Sequence, residues 1–314
     1  MPNNQTRKLV HSSVVIVLFT IIMLITFYVP LVSIVAMGFA LLPIAWLAAT
    51  YDRANAIVVA IIASSITFIY GGIIMLLTSI VFAVAGLVIG DAIRNKKSKI
   101  YLFMSTGLAL LFTFSILYIA LAKFFNLDFV KISQEIAKTS YEQSIKMAEQ
   151  FPLQQPVTRE SLDEAFRLME AALPSTIIIS AFLLAFVLIS INLPLLKRFK
   201  IDVPKFAPFK KMRLPRAVLW YYLIALSISL FVQPEIGTLL YVATLNASLI
   251  LWLLLVLQGL SFIFFLLDEY KSPSFLKGLV VIIAIPLYSF IILLGIIDLG
   301  FNMREYVKGK IHKK

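Results

Sequence analysis

Apolar residues run through this chain in long stretches, separated by short joints that are basic, polar or proline-bearing. Nine such stretches lie near residues 12–29, 31–50, 54–70, 71–93, 100–122, 173–193, 217–232, 239–267 and 275–297. A membrane-crossing helix needs about 20 apolar residues. Unpaired backbone amides are costly in hydrocarbon, so each stretch is expected to be a helix and not a strand of an open sheet. The first stretch follows Arg7 and Lys8 and so has the charged flank of a signal peptide, but no Ala-x-Ala-like cleavage site follows and the apolar pattern resumes at once. It is expected to be a retained first helix.

Composition agrees with this pattern. Of 314 residues, 61% are hydrophobic and 14% charged, and mean hydropathy is +0.97. A soluble domain is about half apolar and roughly a quarter charged. The expected fold is therefore all-α, a polytopic membrane helical bundle of about 8–10 spans, with nine counted. The absence of cysteine excludes disulfides, thiolate nucleophiles and zinc-thiolate or iron-sulfur sites. The two histidines, His11 and His312, stand near the two ends of the sequence, which leaves no histidine base or ligand inside a span. No cofactor is implied.

Lysine and arginine in the joints set the orientation, because they favour the cytoplasmic side. Arg7 and Lys8 precede the first span, Arg94, Lys96, Lys97 and Lys99 follow the fourth, and a dense basic run follows the sixth. Four and then two spans separate these groups, so all three fall on one side and the N-terminus is cytoplasmic. Segment 123–172 then lies outside, and its six basic against eight acidic residues suit that side. With nine full spans the tail carrying Arg304, Lys308, Lys310, Lys313 and Lys314 would face outward, against the rule. A re-entrant element, at Gln258-Gly259 or at Pro286, would restore it.

This divides the chain into a six-helix membrane domain (1–193) with an external helical insert (123–172), a basic cytoplasmic loop (194–216), and C-terminal helices with a basic tail (217–314). In the insert, Ile132, Ile136, Tyr141, Ile145 and Ala148 suggest an apolar stripe ended by Pro152 and Pro156. A second helix is expected from Ser161, which with Glu164 makes an S-x-x-E capping box. The two would form an external hairpin, either a surface connector or a lid over an outward-facing cavity. Loop 194–216 carries a net charge of +7, four prolines and Phe199, Phe206 and Phe209. Anionic lipid is its simplest partner, at about 1 kcal/mol per basic residue near the surface. A cytoplasmic protein is the alternative, with Lys205, Lys210, Lys211, Arg213 and Arg216 as contacts in either case. No nucleic-acid module is present.

Ionisable residues deep in a membrane usually carry function. Here Asp52, Arg53, Asp91, Glu235, Asp298 and Arg304 all fall at expected span ends and read as interfacial anchors or turn residues. Thr78, Ser79, Thr113, Ser115, Ser175, Thr176, Ser180, Asn246 and Gln258 read first as interhelical hydrogen-bond formers. Tyr28, Tyr70, Thr78, Ser79, Tyr118, Ser175 and Ser180 are alternatively candidates to line an outward-facing pocket for a small neutral or weakly polar ligand. The ridge Ala56, Ala60, Ser64 and the pair Gly86, Gly90 suit close helix packing. No P-loop, Rossmann glycine pattern or paired acidic motif appears, so no enzymatic activity is expected.

Three segments, Lys211-Met-Arg-Leu-Pro-Arg-Ala-Val-Leu-Trp220, Leu257-Gln-Gly-Leu-Ser-Phe262 and Asp298-Leu-Gly-Phe-Asn-Met-Arg304, together with Arg94-Asn-Lys-Lys after four tightly spaced spans, resemble the YybS family. These are bacterial multi-pass membrane proteins of unknown function, which implies a bacterial plasma membrane. Residues 8–193, with Leu42-Pro-Ile-Ala-Trp46 before a tight inner turn, look distantly like the substrate-capture (S) components of energy-coupling factor transporters. That likeness implies capture of a small molecule from outside, with separate ATPase and coupling subunits driving release. The first span lacks the Ala-xxx-Ala docking face of those proteins, and the turn Tyr51-Asp-Arg53 lacks their glycine. Two functions are therefore expected of the chain: the substrate-binding component of a small-molecule importer, or a non-transporting membrane scaffold or regulator that recruits a cytoplasmic partner through its basic loop.

Overall fold

The computed structural model describes residues 4–124, 132, 135–136, 138–140, 142–143, 159–205 and 207–311, without the side chains of 4, 159–162, 310 and 311. The apolar stripe proposed at Tyr141, Ile145 and Ala148, the stops at Pro152 and Pro156, the Ser161 cap and Phe206 lie outside the described residues. All regular elements among the described residues are helices, and the chain is a polytopic helical membrane protein. The helices form two compact units, residues 1–140 with 177–205 and residues 141–176 with 206–314.

Unit one begins with α1 (Asn4–Tyr28), followed by the half-helices α2 (Ser33–Phe39) and α3 (Leu42–Thr50), which together have the length of one span. Helix α4 (Arg53–Arg94) has 42 residues, ~63 Å at 1.5 Å per residue, or twice the hydrocarbon thickness. It is broken at Gly72, whose φ of 61° and ψ of −155° suit only glycine. Contacts along it show that the two halves fold back on each other. Asn55 Nδ2 donates to Ser12 Oγ at 3.0 Å and Tyr28 Oη donates to the Tyr70 carbonyl at 2.7 Å, so the first half runs alongside α1. Arg94 then returns to donate to the Tyr51 carbonyl at 2.6 Å. The expected third and fourth spans are thus both present, joined by a glycine turn.

The inner turn at residues 51–52 is braced from several sides. Asp52 caps α4 by accepting from the Asn55 N–H at 3.0 Å and also pairs with Lys8. The Lys8 ammonium, and then the Asn55 N–H, hold the Asp52 carboxyl below the usual carboxylate range. His11 Nδ1 lies 2.6 Å from Tyr51 Oη, and its ring meets Trp46 edge-on. Gly86 and Gly90 let α4 approach α3 closely, since a Cβ at Gly90 would stand 2.4 Å from the Ala45 carbonyl oxygen. Ala56, Ala60 and Ser64 are buried. Helix α5 (Lys99–Phe124) and the main part of α7 (Leu173–Arg198) complete this unit around Phe19, Met23, Leu47, Phe82, Leu102 and Leu188. Asn192 Nδ2 donates at 2.8 Å to the Gly38 carbonyl.

Unit two holds α6 (Arg159–Ala171), the first four residues of α7, the 3₁₀ turn Phe209–Lys211, α8 (Ala217–Ser227) with a π-turn to Val232, and α9 (Leu239–Glu269). Next come α10 (Phe275–Ala284) and α11 (Tyr288–Phe301), bent by 111° at Pro286, and then α12 (Met303–Ile311). Asn246 on α9 ties the α6–α7 joint: its Oδ1 accepts from the Ser175 N–H and its Nδ2 donates to the Ala171 carbonyl, both at 2.7 Å. Where α9 crosses α11, Gly259 and Gly295 remove the Cβ atoms that would otherwise stand 2.0 Å from the Ile291 oxygen and 2.4 Å from the Leu255 oxygen.

The bent pair returns to the end of the unit where it starts. Its start is held by Lys277 to Asp268 at 2.5 Å, and Asp268 also takes Lys210 at 2.8 Å. Its turn lies deeper along α9, where Tyr288 packs edge-on against Trp252. Its far end comes back, with Arg304 donating to the Lys210 carbonyl at 2.7 Å. Both ends therefore meet at Lys210, so the pair α10–α11 folds back on itself, the geometry expected of a re-entrant element at Pro286. Within unit two, Arg304 and Lys308 lie at the same end as the basic loop, as the Pro286 alternative requires.

Candidate functional site

The clearest polar constellation is at that end of unit two. Gln258 and Ser261 sit three residues apart on α9, one helical turn, so they share a face. Asp298 sits on the last turn of α11. Asn302, left-handed at φ 51°, ends α11 and turns the chain so that Arg304 on α12 points back. Gln258, Ser261 and Asp298 are fully buried and Arg304 nearly so.

The hydrogen bonds close a network across four segments. Asp298 Oδ2 accepts from Gln258 Nε2 at 2.6 Å and from Arg304 Nε at 2.9 Å. Gln258 Oε1 accepts from the Leu214 N–H at 2.9 Å. Arg304 further donates to the Lys210 carbonyl and, at 3.1 Å, to Ser261 Oγ. Ser261 Oγ lies 2.8 Å from the carbonyls of both Phe209 and Met212. Four backbone groups of loop 209–214 are thereby bonded to side chains of α9 and α12. Arg213 also donates to Asn302 Oδ1. The loop that the sequence presents as an extended polybasic tract is clamped onto the helices. Its shape is fixed by a buried ion pair.

Gln258 is the interhelical hydrogen-bond former its sequence position suggests, donating from α9 to Asp298 on α11. Asp298 and Arg304, which read as interfacial anchors or turn residues, are instead buried and paired with each other, and Gln258 joins them to the loop. A reading by span ends missed the pairing because the re-entrant fold, which brings residue 304 back beside 261, is not written in hydropathy. The available signal was an Asp and an Arg six positions apart around Asn302, and a lone Gln in an otherwise apolar stretch.

The basic contact candidates divide by environment. Lys210 is spent on Asp268, whereas Lys211, Arg213 and Arg216 are exposed and have no carboxylate partner among the described residues. Lys205 is exposed at the end of unit one. Lys211 and Arg213 line a cleft of about 300 Å³ with Phe265, Arg304, Glu305 and Lys308. Arg304 and Lys308 stand over the Phe265 ring at 5.6 and 5.7 Å.

Of the outward-pocket candidates, Tyr28 and Tyr70 are brought together. Thr78, Ser79 and Ser175 donate their hydroxyls to carbonyls of their own helical segments, at 2.9, 2.7 and 2.9 Å. Tyr118 is half-buried and Ser180 exposed. Ser175 belongs to unit two and the others to unit one. A separate cleft of about 480 Å³ in unit two is lined by Arg167, Glu170, Ala171, Pro174, Ile236, Gly237 and Val242.

A family described as predicted membrane protein (DUF2232) matches residues 17–299 of the chain. "Uncharacterized protein YybS" of Bacillus subtilis (strain 168) is 28% identical over 314 residues, covering 97% of this chain and 99% of that protein. No solved structure matches. The three segments that carry the resemblance, 211–220, 257–262 and 298–304, are the ones that meet in the Asp298 network. The chain belongs to the DUF2232 family of predicted membrane proteins, the YybS family, and is a multi-pass membrane protein.

Proposed function

We propose that this chain is a non-enzymatic scaffold of the bacterial plasma membrane, whose C-terminal unit presents a shaped basic face to a cytoplasmic partner with an acidic surface. One observation carries the reading: loop 209–214 is locked by Gln258, Ser261 and Arg304, while Lys211, Arg213, Arg216 and Lys308 are left without carboxylate partners among the described residues. A disordered basic tract suffices for diffuse attraction. A fixed one holds charges in a pattern, which gives specificity and orientation.

The test is photo-cross-linking from position 216 in cells, with and without Lys211→Glu/Arg213→Glu, and a matched cross-linker at the external position 163. The reading expects one cytoplasmic protein cross-linked from 216 only, lost on charge reversal while the chain stays folded. Adducts that are identical from both positions, or that persist after reversal, refute it.

The importer reading has one observation of its own, the 480 Å³ cleft beside α6 in unit two, lined by Arg167 and Glu170 among apolar residues. It requires a small molecule to co-purify with the chain and to be lost on Gly237→Trp, which would fill the cleft mouth. Co-purification of an ATPase and a coupling subunit would extend it to transport.

A further inference from the structure

The cleft of about 300 Å³ is more than a patch of charge. Its lining holds Lys211, Arg213 and Lys308 against one carboxylate, Glu305, around the ring of Phe265, with Arg304, already paired to Asp298, at its inner wall. Phe265 is buried on α9 and fixes the positions of two of them, since Arg304 and Lys308 both lie over its face. Arg304 cannot swing away, because three of its five N–H donors are engaged by Asp298, Lys210 and Ser261. Like charges held this close repel one another unless an anion stands between them.

The residues beside the cleft point to the class of anion. Trp220 and Tyr221, 64% and 61% exposed, stand near the start of α8, just after Arg213 and Arg216. Exposed tryptophan and tyrosine at a span end mark the headgroup layer. Phe265 stands on the last two turns of α9, and by the mark of Trp220 and Tyr221 this end of the unit belongs to the headgroup layer. Guanidinium forks match phosphate oxygens in pairs, and lysines add point charge.

We propose that this cleft seats the phosphate of one anionic phospholipid from the cytoplasmic leaflet, held by Lys211, Arg213, Arg304 and Lys308 over Phe265. The proposal rests on the reading of this face as the functional one and supplies its regulation. A seated headgroup neutralises Lys211 and Arg213, so lipid and acidic partner compete for them.

The experiment uses the purified full chain in nanodiscs of phosphatidylcholine containing a minor fraction of phosphatidylglycerol, with native mass spectrometry of retained lipid and no partner protein present. The variants are Lys211→Gln/Arg213→Gln/Lys308→Gln, the exposed single change Lys308→Gln, and a control of equal charge loss, Lys96→Gln/Lys97→Gln/Lys99→Gln in unit one. Wild type is expected to retain one phosphatidylglycerol per chain, the cleft triple to lower its retention at least tenfold, the single change about threefold, and the control less than twofold. Equal losses in the cleft and control triples would mean diffuse charge and overturn the proposal. So would no retained phosphatidylglycerol, or its displacement by millimolar inorganic phosphate, which would make this a site for a soluble anion. Capture of an acidic protein with no lipid effect would overturn the lipid seat and leave the scaffold standing, whereas failure of the cross-linking alone would leave the lipid result intact.

Discussion

Replacing Arg304 by glutamine is the most searching perturbation of the clamp. The change removes one partner of a buried ion pair and leaves Asp298 with Gln258 as its one donor among the described residues. Breaking such a pair from one side costs about 3–5 kcal/mol, mostly through the carboxylate left uncompensated. The lost bonds to the Lys210 carbonyl and Ser261 are each worth about 1 kcal/mol in isolation. They share the same side chain, so they do not add in full, and a total of about 3–5 kcal/mol stands. The cost falls on the loop first, because four of its backbone groups depend on this network.

Limited trypsin digestion of the protein in detergent or nanodiscs reads that opening at Lys210, Lys211 and Arg213. At about 1.4 kcal/mol per tenfold, 3 kcal/mol raises the open population, and the cleavage rate with it, roughly a hundredfold. The double variant Asp298→Asn/Arg304→Gln carries no stranded charge, so it is expected to be cleaved more slowly than Arg304→Gln alone. If Arg304→Gln changes loop cleavage less than threefold, or if the double variant is no better than the single one, the clamp is not what holds the loop.

Further expectations follow from other parts of the structure. The chain lacks cysteine, so Gly309→Cys, Arg216→Cys and Asp163→Cys are clean reporters of sidedness; on intact cells an impermeant maleimide should label only Asp163→Cys, and labelling at 309 would refute the re-entrant hairpin. Gly259→Ala and Gly295→Ala force a Cβ to within 2.0 and 2.4 Å of backbone oxygens and should each cost about 1–3 kcal/mol or more. Gly278→Ala meets nothing within 4 Å and should leave the thermal midpoint unchanged or raised. Asp52, lowered mainly by Lys8, contributes stability that is present above the ordinary carboxylate value of about 3.9 and is lost as pH falls through its lower folded value. Asp52→Asn should therefore cost less than about 1 kcal/mol at pH 7, because the pair is half exposed, and should flatten the acid limb of an unfolding-midpoint profile; an unchanged acid limb refutes this.

The membrane architecture was legible from hydropathy because each span must satisfy its own backbone, which makes a span a local property of about 20 residues. The fold-back inside α4 was legible too, as two adjacent apolar stretches meeting at Gly71-Gly72. The re-entrant hairpin was legible only as a conflict: the basic tail stood on the wrong side of a nine-span count, and Pro286 was one of two places where the conflict could be resolved. What favours Pro286 is tertiary, the anchoring of Lys277 and Arg304 at the two ends of one fold-back.

The functional candidates were harder to read for the same reason. Hydroxyls such as Thr78 and Ser79 look available in a sequence, but a helix offers each of them a carbonyl three or four residues back, and here they take it. Asp298 and Arg304 look peripheral because each lies near the end of an apolar stretch, and proximity to an end is taken for exposure. The chain reverses direction between them and α9, which turns two apparent ends into an interior. A buried ion pair adds little net stability compared with apolar side chains of the same volume. Its physical distinction is directional, since it accepts one geometry and penalises the rest. At this place in the fold that geometry is the path of loop 209–214, with Lys211 and Arg213 held outward. The same side chains that make the interior expensive give the basic face a defined shape.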